Sequence, residues 1–286
     1  MNIINIAAYR FVSLDDLPNL RENLKDKCLE LELKGTILLA PEGINLFLAG
    51  TPENIQTFIH YLTSDECFNG MEFKESPSSD KPFNRLLVKL KKEIIPMGLP
   101  DVSPATNPAP GLPAETLKSW LDEGREVVLL DTRNDYEVSL GTFKNAVHLD
   151  IEIFREFPEK IKELLPELQD KVIVSFCTGG IRCEKAAPAM LNAGFKNVYQ
   201  LNGGILKYFE EVGGDHYEGD CFVFDKRVAL TPALEQSNVD QCFNCLSTVN
   251  SEEQKSEAYV PGVSCPKCIN GKPIKKSGIN LSQRRS

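Results

Sequence analysis

The sequence is poor in histidine and in long hydrophobic runs, and each scarcity excludes a class of protein or site. Its apolar runs are short and broken by polar residues, far below the roughly 18 apolar residues of a membrane-spanning helix, so no membrane association is expected. The three histidines fall in unrelated predicted elements, which argues against an iron site of two histidines and one carboxylate. No G-x-G-x-x-G fingerprint of a flavin or nicotinamide site occurs, and Gly203 and Gly204 are expected to be ordinary turn glycines.

Positive charge is also scarce overall, since 32 Lys and Arg stand against 41 Asp and Glu, a formal net charge of −9. That balance argues against non-specific nucleic-acid binding by the whole surface. Two local stretches differ, because residues 81–97 hold five basic side chains and one acidic one, and residues 265–286 hold six basic side chains and no acid. Each stretch is either a phosphate-binding patch or an ordinary solvated face.

The first residues lack the basic, apolar and small-residue stretches of a signal peptide, so we expect a cytoplasmic protein. In that compartment, cysteines are expected to serve in catalysis or metal binding more often than in disulfides, so we expect no disulfides among the nine. Cys28, Cys67 and Cys221 belong to no cysteine motif and are expected to be small hydrophobic residues.

Hydrophobic periodicity and proline content divide the chain into four segments, and predict a multidomain protein of α/β and α+β class. Residues 1–95 follow the order β-α-β-β-α-β of a ferredoxin-like domain, with 86–90 as the closing strand. Six prolines predict an extended linker at 96–114. Residues 115–218 alternate buried strands with helices, which predicts a parallel sheet, and 219–286 form a small cysteine-rich segment with a basic tail.

A loop after the predicted strand at 172–176 carries the clearest chemical signal. It contains, in order, Cys177, Thr178, Gly179, Gly180, Ile181 and Arg182. Glycines let backbone N–H groups converge on the thiol, and a helix beginning near Arg182 adds partial positive charge at its N-terminus. We therefore predict that Cys177, on a surface-facing loop, is a nucleophile with a lowered pKa and that Arg182 supplies a fixed positive charge.

The spacing Cys-x4-Arg is one residue shorter than the Cys-x5-Arg loop with which cysteine phosphatases hold three phosphate oxygens. The smaller ring suits a persulfide sulfur on Cys177, and the loop resembles the active-site loop of rhodanese sulfurtransferases. A second rhodanese-like stretch runs from Asp131 to His148, in which Asp131 and Arg133 are expected to support the site. The alternative is an inert, buried Cys177 on an ordinary turn.

Cys183 lies six residues after Cys177, in the first turn of the predicted helix. It is either a resolving thiol, which would attack a persulfide or sulfenate on Cys177, or a small residue that packs against the sheet. The sequence leaves both interpretations open.

Further stretches narrow the resemblance: CTGGIRCEK at 177–185, YQLNGGILKY at 199–208, CFVFDKRV at 221–228, and Lys34-Gly35 with EGIN at 42–45. Together they resemble the oxygen-dependent tRNA uridine hydroxylases, rhodanese-containing enzymes that make 5-hydroxyuridine at the wobble position. The resemblance covers nearly the whole chain. It implies tRNA as the substrate, molecular oxygen as co-substrate and Cys177 as the persulfide-forming cysteine, which would need a sulfur donor.

Two Cys-x2-Cys pairs, Cys242 with Cys245 and Cys265 with Cys268, are separated by 19 residues, a spacing typical of two zinc knuckles. Four thiolates would close a tetrahedral structural zinc site and leave no open position for catalysis. The alternative is a set of reduced, metal-free cysteines in a mobile tail.

In view of the resemblance, Lys89, Lys91 and Lys92, together with the 265–286 tail, are expected to bind tRNA phosphates. Strand alternation would turn Lys89 and Lys91 outward, and would turn Leu90 and Lys92 towards the helices.

Two other functions stay open: a sulfurtransferase that moves sulfane sulfur through a Cys177 persulfide, and a zinc-ribbon adaptor with a non-catalytic rhodanese fold. The intact loop argues against the adaptor, and the added first domain argues against a plain sulfurtransferase. The set of tRNAs, the electron source and the oligomeric state have no signal in the sequence.

Overall fold

The computed structural model describes residues 3–78, 83–99, 101–225, 227–242, 244–245 and 247–269. The chain divides into two compact units. The first holds the elements up to residue 96 together with residues 103–106, and the second holds the elements beyond them. Within the described ranges, no helix has both the length and the apolar character that crossing a membrane requires.

The first unit is a sheet covered by two helices. Its elements are β1 Ile3–Phe11, α1 Leu17–Glu30, β2 Lys34–Ala40, β3 Gly43–Gly50, α2 Pro52–Thr63, β4 Lys74–Ser78 and β5 Leu86–Leu90. The strand order is β4-β1-β3-β2-β5, and every pair is antiparallel except β2 with β5. The predicted ferredoxin-like order β-α-β-β-α-β is therefore confirmed for β1 to β4.

The closing strand was assigned wrongly from the sequence. β4 closes the ferredoxin-like order beside β1, whereas β5, the predicted closing strand, extends the opposite edge beside β2. The polar sequence of β4 carries Pro77 and lacks an apolar alternation, so it gives no strand signal. A proline is tolerated there because β4 is an edge strand.

Capping residues set the starts of both helices. Thr51 caps α2, as its sequence predicts, by accepting a hydrogen bond from the backbone N–H of Asn54 at 3.3 Å. In α1, the cap is Asp16, and Leu24 and Cys28 point into the core. The helices therefore bury one apolar face each against the sheet.

The predicted faces of β5 need a correction. Val88 is buried, but Leu90 is 42% exposed instead of packing against the helices. The strand ends at Leu90, so the packed face stops at Val88 and the alternation does not extend to Lys92. Lys89 is half-buried, while Lys91 and Lys92 are exposed.

The second unit is built on a parallel sheet. Its first elements are β6 Gly111–Leu112, α3 Ala114–Asp122, β7 Val128–Asp131, α4 Asp135–Val138, β8 Gly141–Phe143, β9 Val147–His148, α5 Phe157–Leu168, β10 Val172–Phe176, α6 Ile181–Ala193, β11 Asn197–Leu201 and α7 Gly204–Val212. The strand order is β6-β11-β10-β7-β9, with all pairs parallel. The predicted parallel α/β sheet is confirmed.

Short antiparallel pairs follow the parallel sheet. They involve β12 Tyr217–Gly219, β13 Cys221–Phe222, β14 Ala229–Leu230, β15 Asp240–Gln241 and β16 Thr248–Val249. β12 pairs with β8, β13 with β14, and β15 with β16.

The register of the parallel sheet positions the candidate site. Phe176, the last residue of β10, lies beside Asp131, the last residue of β7. The carboxyl ends of neighbouring parallel strands open onto the same edge, where α/β proteins build their sites. The loops after β7 and β10 therefore meet.

Candidate active site

The loop between β10 and α6 curls around the sulfur of Cys177. Gly180 has φ +100°, a conformation that favours glycine, and its backbone N–H donates a hydrogen bond to Cys177 Sγ at 3.1 Å. The helix α6 begins at the next residue, so its unpaired N–H groups lie at the same end of the loop.

A second helix N-terminus holds the outer side of this loop. The N–H groups of Ile205 and Leu206, in the first turn of α7, donate to the carbonyls of Cys177 at 2.9 Å and Thr178 at 3.1 Å. Gly204 has φ +68°, and a Cβ atom there would lie 2.3 Å from the Cys177 carbonyl oxygen. The interpretation of Gly204 as an ordinary turn glycine therefore missed its close contact with the loop, for which the only sequence signal was the stretch at 199–208.

The surroundings of Cys177 favour its thiolate. Burial alone would raise the pKa of this thiol. A hydrogen bond from Cys183, the positive charge of Arg182 and the N–H groups of Arg182 and Gly180 outweigh burial, and hold the pKa well below its ordinary value. Burial and the bond to Cys177 raise the pKa of Cys183 well above its ordinary value. These opposite shifts favour a thiolate on Cys177 beside a protonated Cys183.

Arg182 is fixed by a buried carboxylate. Its guanidinium makes two hydrogen bonds to Glu137, with Nη1 to Oε2 at 2.6 Å and Nη2 to Oε1 at 2.7 Å. Thr178 Oγ1 donates to the same carboxylate at 3.3 Å. Burial opposes the charge on Arg182, yet Glu137 raises its pKa above the ordinary value. Glu137, noted in the sequence only as part of a rhodanese-like stretch, thus ties the loop, α4 and α6 together.

Asp131 and Arg133 form a separate, fully buried ion pair. Arg133 Nη2 donates to Asp131 Oδ2 at 2.7 Å and to the Gly141 carbonyl at 2.6 Å. Thr142 Oγ1 donates to the same carboxylate at 2.8 Å. These contacts join the end of β7 to β8, beside the Cys177 loop.

Thr132 connects this pair to the loop strand. Its Oγ1 donates to the Phe176 carbonyl at 3.0 Å and lies 3.7 Å from Cys183 Sγ. Cys183 is buried against β7 and β10, so it both packs on the sheet and contacts Cys177.

The expectation of a surface-facing loop is wrong for the thiol itself. Cys177 is fully buried, and Thr178 is nearly so. Gly204 at the start of α7 contacts the loop from one side. On another side, Thr178 Oγ1 shares its one hydroxyl hydrogen between Glu137 and the carbonyl of Phe222 in β13, each at 3.3 Å. Gly179 and Ile181 keep partial exposure.

Aromatic rings border the loop where β13 passes it. Phe222 makes edge-to-face contacts with Tyr136 and with Phe224, each with 5.2 Å between ring centroids. Arg182 Cζ lies 5.9 Å from the centroid of Phe224. Cys221, next to Phe222, is buried, and burial raises the pKa of its thiol to about 12.

The four cysteines of the C-terminal segment come together in a second cluster. Sγ–Sγ distances are 3.7 Å for Cys242 and Cys268, 3.5 Å for Cys245 and Cys265, and 3.8 Å for Cys265 and Cys268. Tetrahedral zinc with bonds of roughly 2.3 Å to sulfur requires sulfurs about 3.8 Å apart. The donor set therefore fits zinc in both chemistry and spacing.

Burial raises the pKa of the Cys242 thiol and, together with the neighbouring sulfurs, raises that of Cys265 to about 12. Burial also opposes ionisation of Cys268, but the N–H of Cys265 and the amide of Asn244 lower its pKa to about 7.

The lysines predicted to bind RNA lie in the first unit, at β5 and directly after it. Burial lowers the pKa of Lys89, and the positive charges of Lys91 and Arg85 lower it further. Lys81 and residues 270–286 of the predicted basic tail lie outside the described residues.

Comparisons with known proteins agree with this architecture. Residues 3–94 match the family model of the UPF0176 acylphosphatase-like domain, and residues 113–211 match that of the rhodanese-like domain. The chain is 56% identical to a tRNA uridine(34) hydroxylase of Cupriavidus taiwanensis over 277 residues, which are 95% of this chain and 98% of that protein.

A Paraburkholderia xenovorans protein with the same name is also 56% identical, over 94% of this chain and 96% of its own length. A third, from Cupriavidus necator, is 55% identical over 95% of this chain and 98% of its own length. The resemblance predicted from the sequence motifs is thus confirmed. The chain belongs to the family of tRNA uridine(34) hydroxylases.

Proposed function

We propose that this protein hydroxylates the wobble uridine of tRNA, at position 34, to 5-hydroxyuridine, in the cytoplasm and with molecular oxygen as co-substrate. The observation that carries the proposal is 56% identity to a tRNA uridine(34) hydroxylase over nearly the full length of both chains. The thiolate-stabilising loop at Cys177 supports it, because it supplies a reactive group in the rhodanese-like part of the chain.

We assign distinct roles to the side chains of the loop. Cys177 is the reactive thiolate, and the Gly180 N–H holds its sulfur. Arg182 supplies positive charge and is oriented by Glu137. Cys183 keeps its proton and donates a hydrogen bond to the thiolate, so a single negative charge is shared by the pair.

The proposed function is tested by measuring modified nucleosides. We expect 5-hydroxyuridine in bulk tRNA to disappear when the gene is deleted and to return with a plasmid copy. A plasmid copy with Cys67→Ser, a half-buried cysteine of the first unit, is the control for Cys177→Ser and should also restore 5-hydroxyuridine. Unchanged 5-hydroxyuridine after deletion, measured by mass spectrometry, would exclude the proposal for this chain.

Sulfur transfer through Cys177 is a second candidate, favoured by the short loop and its lowered thiol pKa. The thiolate would attack the outer sulfur of thiosulfate, the S–S bond would break and sulfite would leave, which gives a persulfide on Cys177. An acceptor such as cyanide would then take the outer sulfur and regenerate the thiolate. Release of thiocyanate from thiosulfate and cyanide by the purified protein measures this activity. Turnover with these substrates in a protein that leaves tRNA unmodified would favour the sulfurtransferase.

We propose that Lys89, Lys91 and Lys92 contact the phosphates of the tRNA. Support comes from their position, at β5 and directly after it, and from the positive charges of Lys91 and Arg85, which lower the pKa of Lys89. Phosphate contacts of this kind contribute affinity without reading sequence.

We also propose a structural zinc ion held by Cys242, Cys245, Cys265 and Cys268. The sulfur spacing supports it, and a complete shell of four thiolates leaves no position for substrate. Metal analysis of protein purified without chelator should find about one zinc per chain. A chain without bound metal would favour free thiols instead.

A further inference from the structure

Phe224 is an exposed aromatic side chain beside the Cys177 loop. It follows β13, and 40% of its surface is open to solvent, whereas the neighbouring Phe222 and Val223 are buried. Among the described residues of the second unit, no other Phe, Tyr or Trp side chain is as exposed. A lone exposed apolar residue is common on protein surfaces, so its surroundings decide whether it has a role.

Three contacts connect the ring to the site. Arg182 Cζ lies 5.9 Å from its centroid, and Phe222 meets it edge-to-face at 5.2 Å. Phe222 in turn accepts a hydrogen bond from Thr178 of the loop through its carbonyl oxygen. An exposed aromatic ring therefore lies against the guanidinium whose charge stabilises the Cys177 thiolate.

Described residues on both sides of Phe224 make contacts of their own. The Val223 N–H donates to the Val228 carbonyl at 2.8 Å. The Arg227 guanidinium pairs with Asp225, with Nη2 to Oδ2 at 2.6 Å. The backbone directly before Phe224 is thus hydrogen-bonded, and a ring presented from a hydrogen-bonded backbone loses less conformational entropy when a ligand stacks on it.

We propose that Phe224 is the platform on which the uracil ring of the wobble uridine stacks, beside Arg182. The proposal rests on the proposed function, since it names the part of the tRNA that this side chain binds. Unpaired bases of RNA are bound by proteins through stacking on aromatic side chains, and Phe224 offers an exposed ring beside the buried guanidinium of Arg182. A single ring is far too small an area for a protein–protein interface, which favours a small planar occupant.

The test compares two RNA hairpins with the sequence of an anticodon arm, one with uridine and one with an abasic residue at the wobble position. Wild-type protein should bind the uridine hairpin at least about fivefold more tightly, as expected for one stacked base. Phe224→Ala should bind both hairpins alike, because the platform is gone. Phe224→Trp should keep the difference, since a larger ring still stacks.

Leu234→Ala is the matched control, because Leu234 is 39% exposed in the same unit and should keep the full preference for uridine. Thermal unfolding of each variant separates a lost platform from a lost fold, and the tryptophan variant gives an independent measure of stacking. A Phe224→Ala protein that unfolds normally and still prefers the uridine hairpin overturns the inference.

Failure of the inference and failure of the proposed function are distinguishable. If wild-type protein restores 5-hydroxyuridine in cells but binds both hairpins equally, stacking on Phe224 is wrong and hydroxylation stands. If wild type prefers the uridine hairpin through Phe224 but the deletion strain keeps its 5-hydroxyuridine, base stacking stands and the reaction is wrong.

Discussion

Two buried groups of cysteines in the second unit differ in what surrounds their sulfur atoms. Cys177 Sγ accepts a hydrogen bond from a backbone N–H and lies in the field of the Arg182 charge, so the protein itself stabilises its negative charge. In the C-terminal cluster, the nearest neighbours of the sulfurs are mainly other sulfurs, at Sγ–Sγ distances of 3.5–3.8 Å. Four neighbouring thiolates repel unless a cation lies between them, so burial and sulfur neighbours raise the pKa of Cys265.

Burial alone therefore says little about the chemistry of a cysteine. Hydrogen-bond donors and a fixed cation favour a single thiolate, whereas a shell of sulfurs is a donor set that a metal ion would complete. The two groups should consequently respond in opposite ways to the same substitution.

The largest difference is expected from cysteine to serine in each group. Cys177→Ser should abolish 5-hydroxyuridine formation and leave the melting temperature almost unchanged, because serine fills the same space and keeps the Gly180 hydrogen bond. Cys265→Ser should instead lose the proposed zinc and lower the melting temperature, because one ligand of four would be missing. Nucleoside analysis, metal content and thermal unfolding of both variants measure the contrast.

Wild-type levels of 5-hydroxyuridine with Cys177→Ser would contradict this contrast between the two cysteine groups, because Cys177 would then have no catalytic role. The contrast is also contradicted if Cys265→Ser keeps its full stability and metal content, which would leave the cluster as free thiols.

A large effect is also expected from Gly204→Ala, which disturbs the close contact between the start of α7 and the Cys177 loop. The new Cβ would lie 2.3 Å from the Cys177 carbonyl oxygen, and the residue would keep a positive φ, so the loop or α7 must move. We expect loss of most activity and destabilisation of about 1–3 kcal/mol from the forced backbone conformation. Gly194→Ala is the control, since it also has positive φ but meets no atom within 4 Å. Equal activity of the two variants would show that the close contact is unimportant.

A smaller effect is expected from Arg182→Ala. Burial raises the pKa of Cys177, and the charge of Arg182 lowers it, so the pKa of the thiol should rise when Arg182 is removed. Because the wild-type pKa is lowered, its thiolate persists as the pH falls below the ordinary thiol pKa, and the variant should lose reactivity in that range. The rate at which a small disulfide reagent modifies Cys177 is followed by mass spectrometry across pH. The midpoint of each pH profile gives the pKa of Cys177 in wild type and in the variant.

Arg125→Ala is the control for this shift, because Arg125 stacks on Trp120 and has no role in the loop. A midpoint for Arg182→Ala that matches wild type would mean that the backbone N–H groups alone stabilise the thiolate.

The sequence predicts some features of this molecule well because their physical causes are local. A continuous apolar strand followed by glycines and a helix start is enough to locate the Cys177 loop, and two Cys-x2-Cys pairs are enough to predict a four-sulfur cluster. Each signal is contained in a few consecutive residues, and tertiary packing has only to preserve it.

Other features depend on partners distant in sequence and could not be predicted. Gly204 supports a loop about 25 residues earlier, and only the parallel sheet brings the two together. β4 is a strand because β1 offers it hydrogen bonds, although its own sequence is polar and carries a proline. The full burial of Cys177 likewise results from α7 and β13, which pack on the loop from later in the chain.

The smallest effect is expected in the first unit, far in sequence from both cysteine groups. Lys89→Ala/Lys91→Ala should weaken binding about equally for all tRNAs, because phosphate contacts carry no sequence information. The slope of log affinity against log salt should fall by about 0.7 to 0.9 for each phosphate that a lysine no longer neutralises. Cys177 reactivity towards a small disulfide should stay normal, because the thiolate is stabilised by residues of the second unit alone.

Lys160→Ala/Lys162→Ala is the matched control, with the same spacing and the same change of charge, but on α5, where both lysines pair with glutamates. If both double variants lower the salt slope alike, the effect belongs to net charge and not to β5. If neither does, Lys89 and Lys91 are a solvated surface, and the phosphate contacts must come from other basic residues, of which those at 272–285 are the next candidates. A slope lowered only by the Lys89 and Lys91 substitutions would place RNA binding in the first unit and the reactive thiolate in the second.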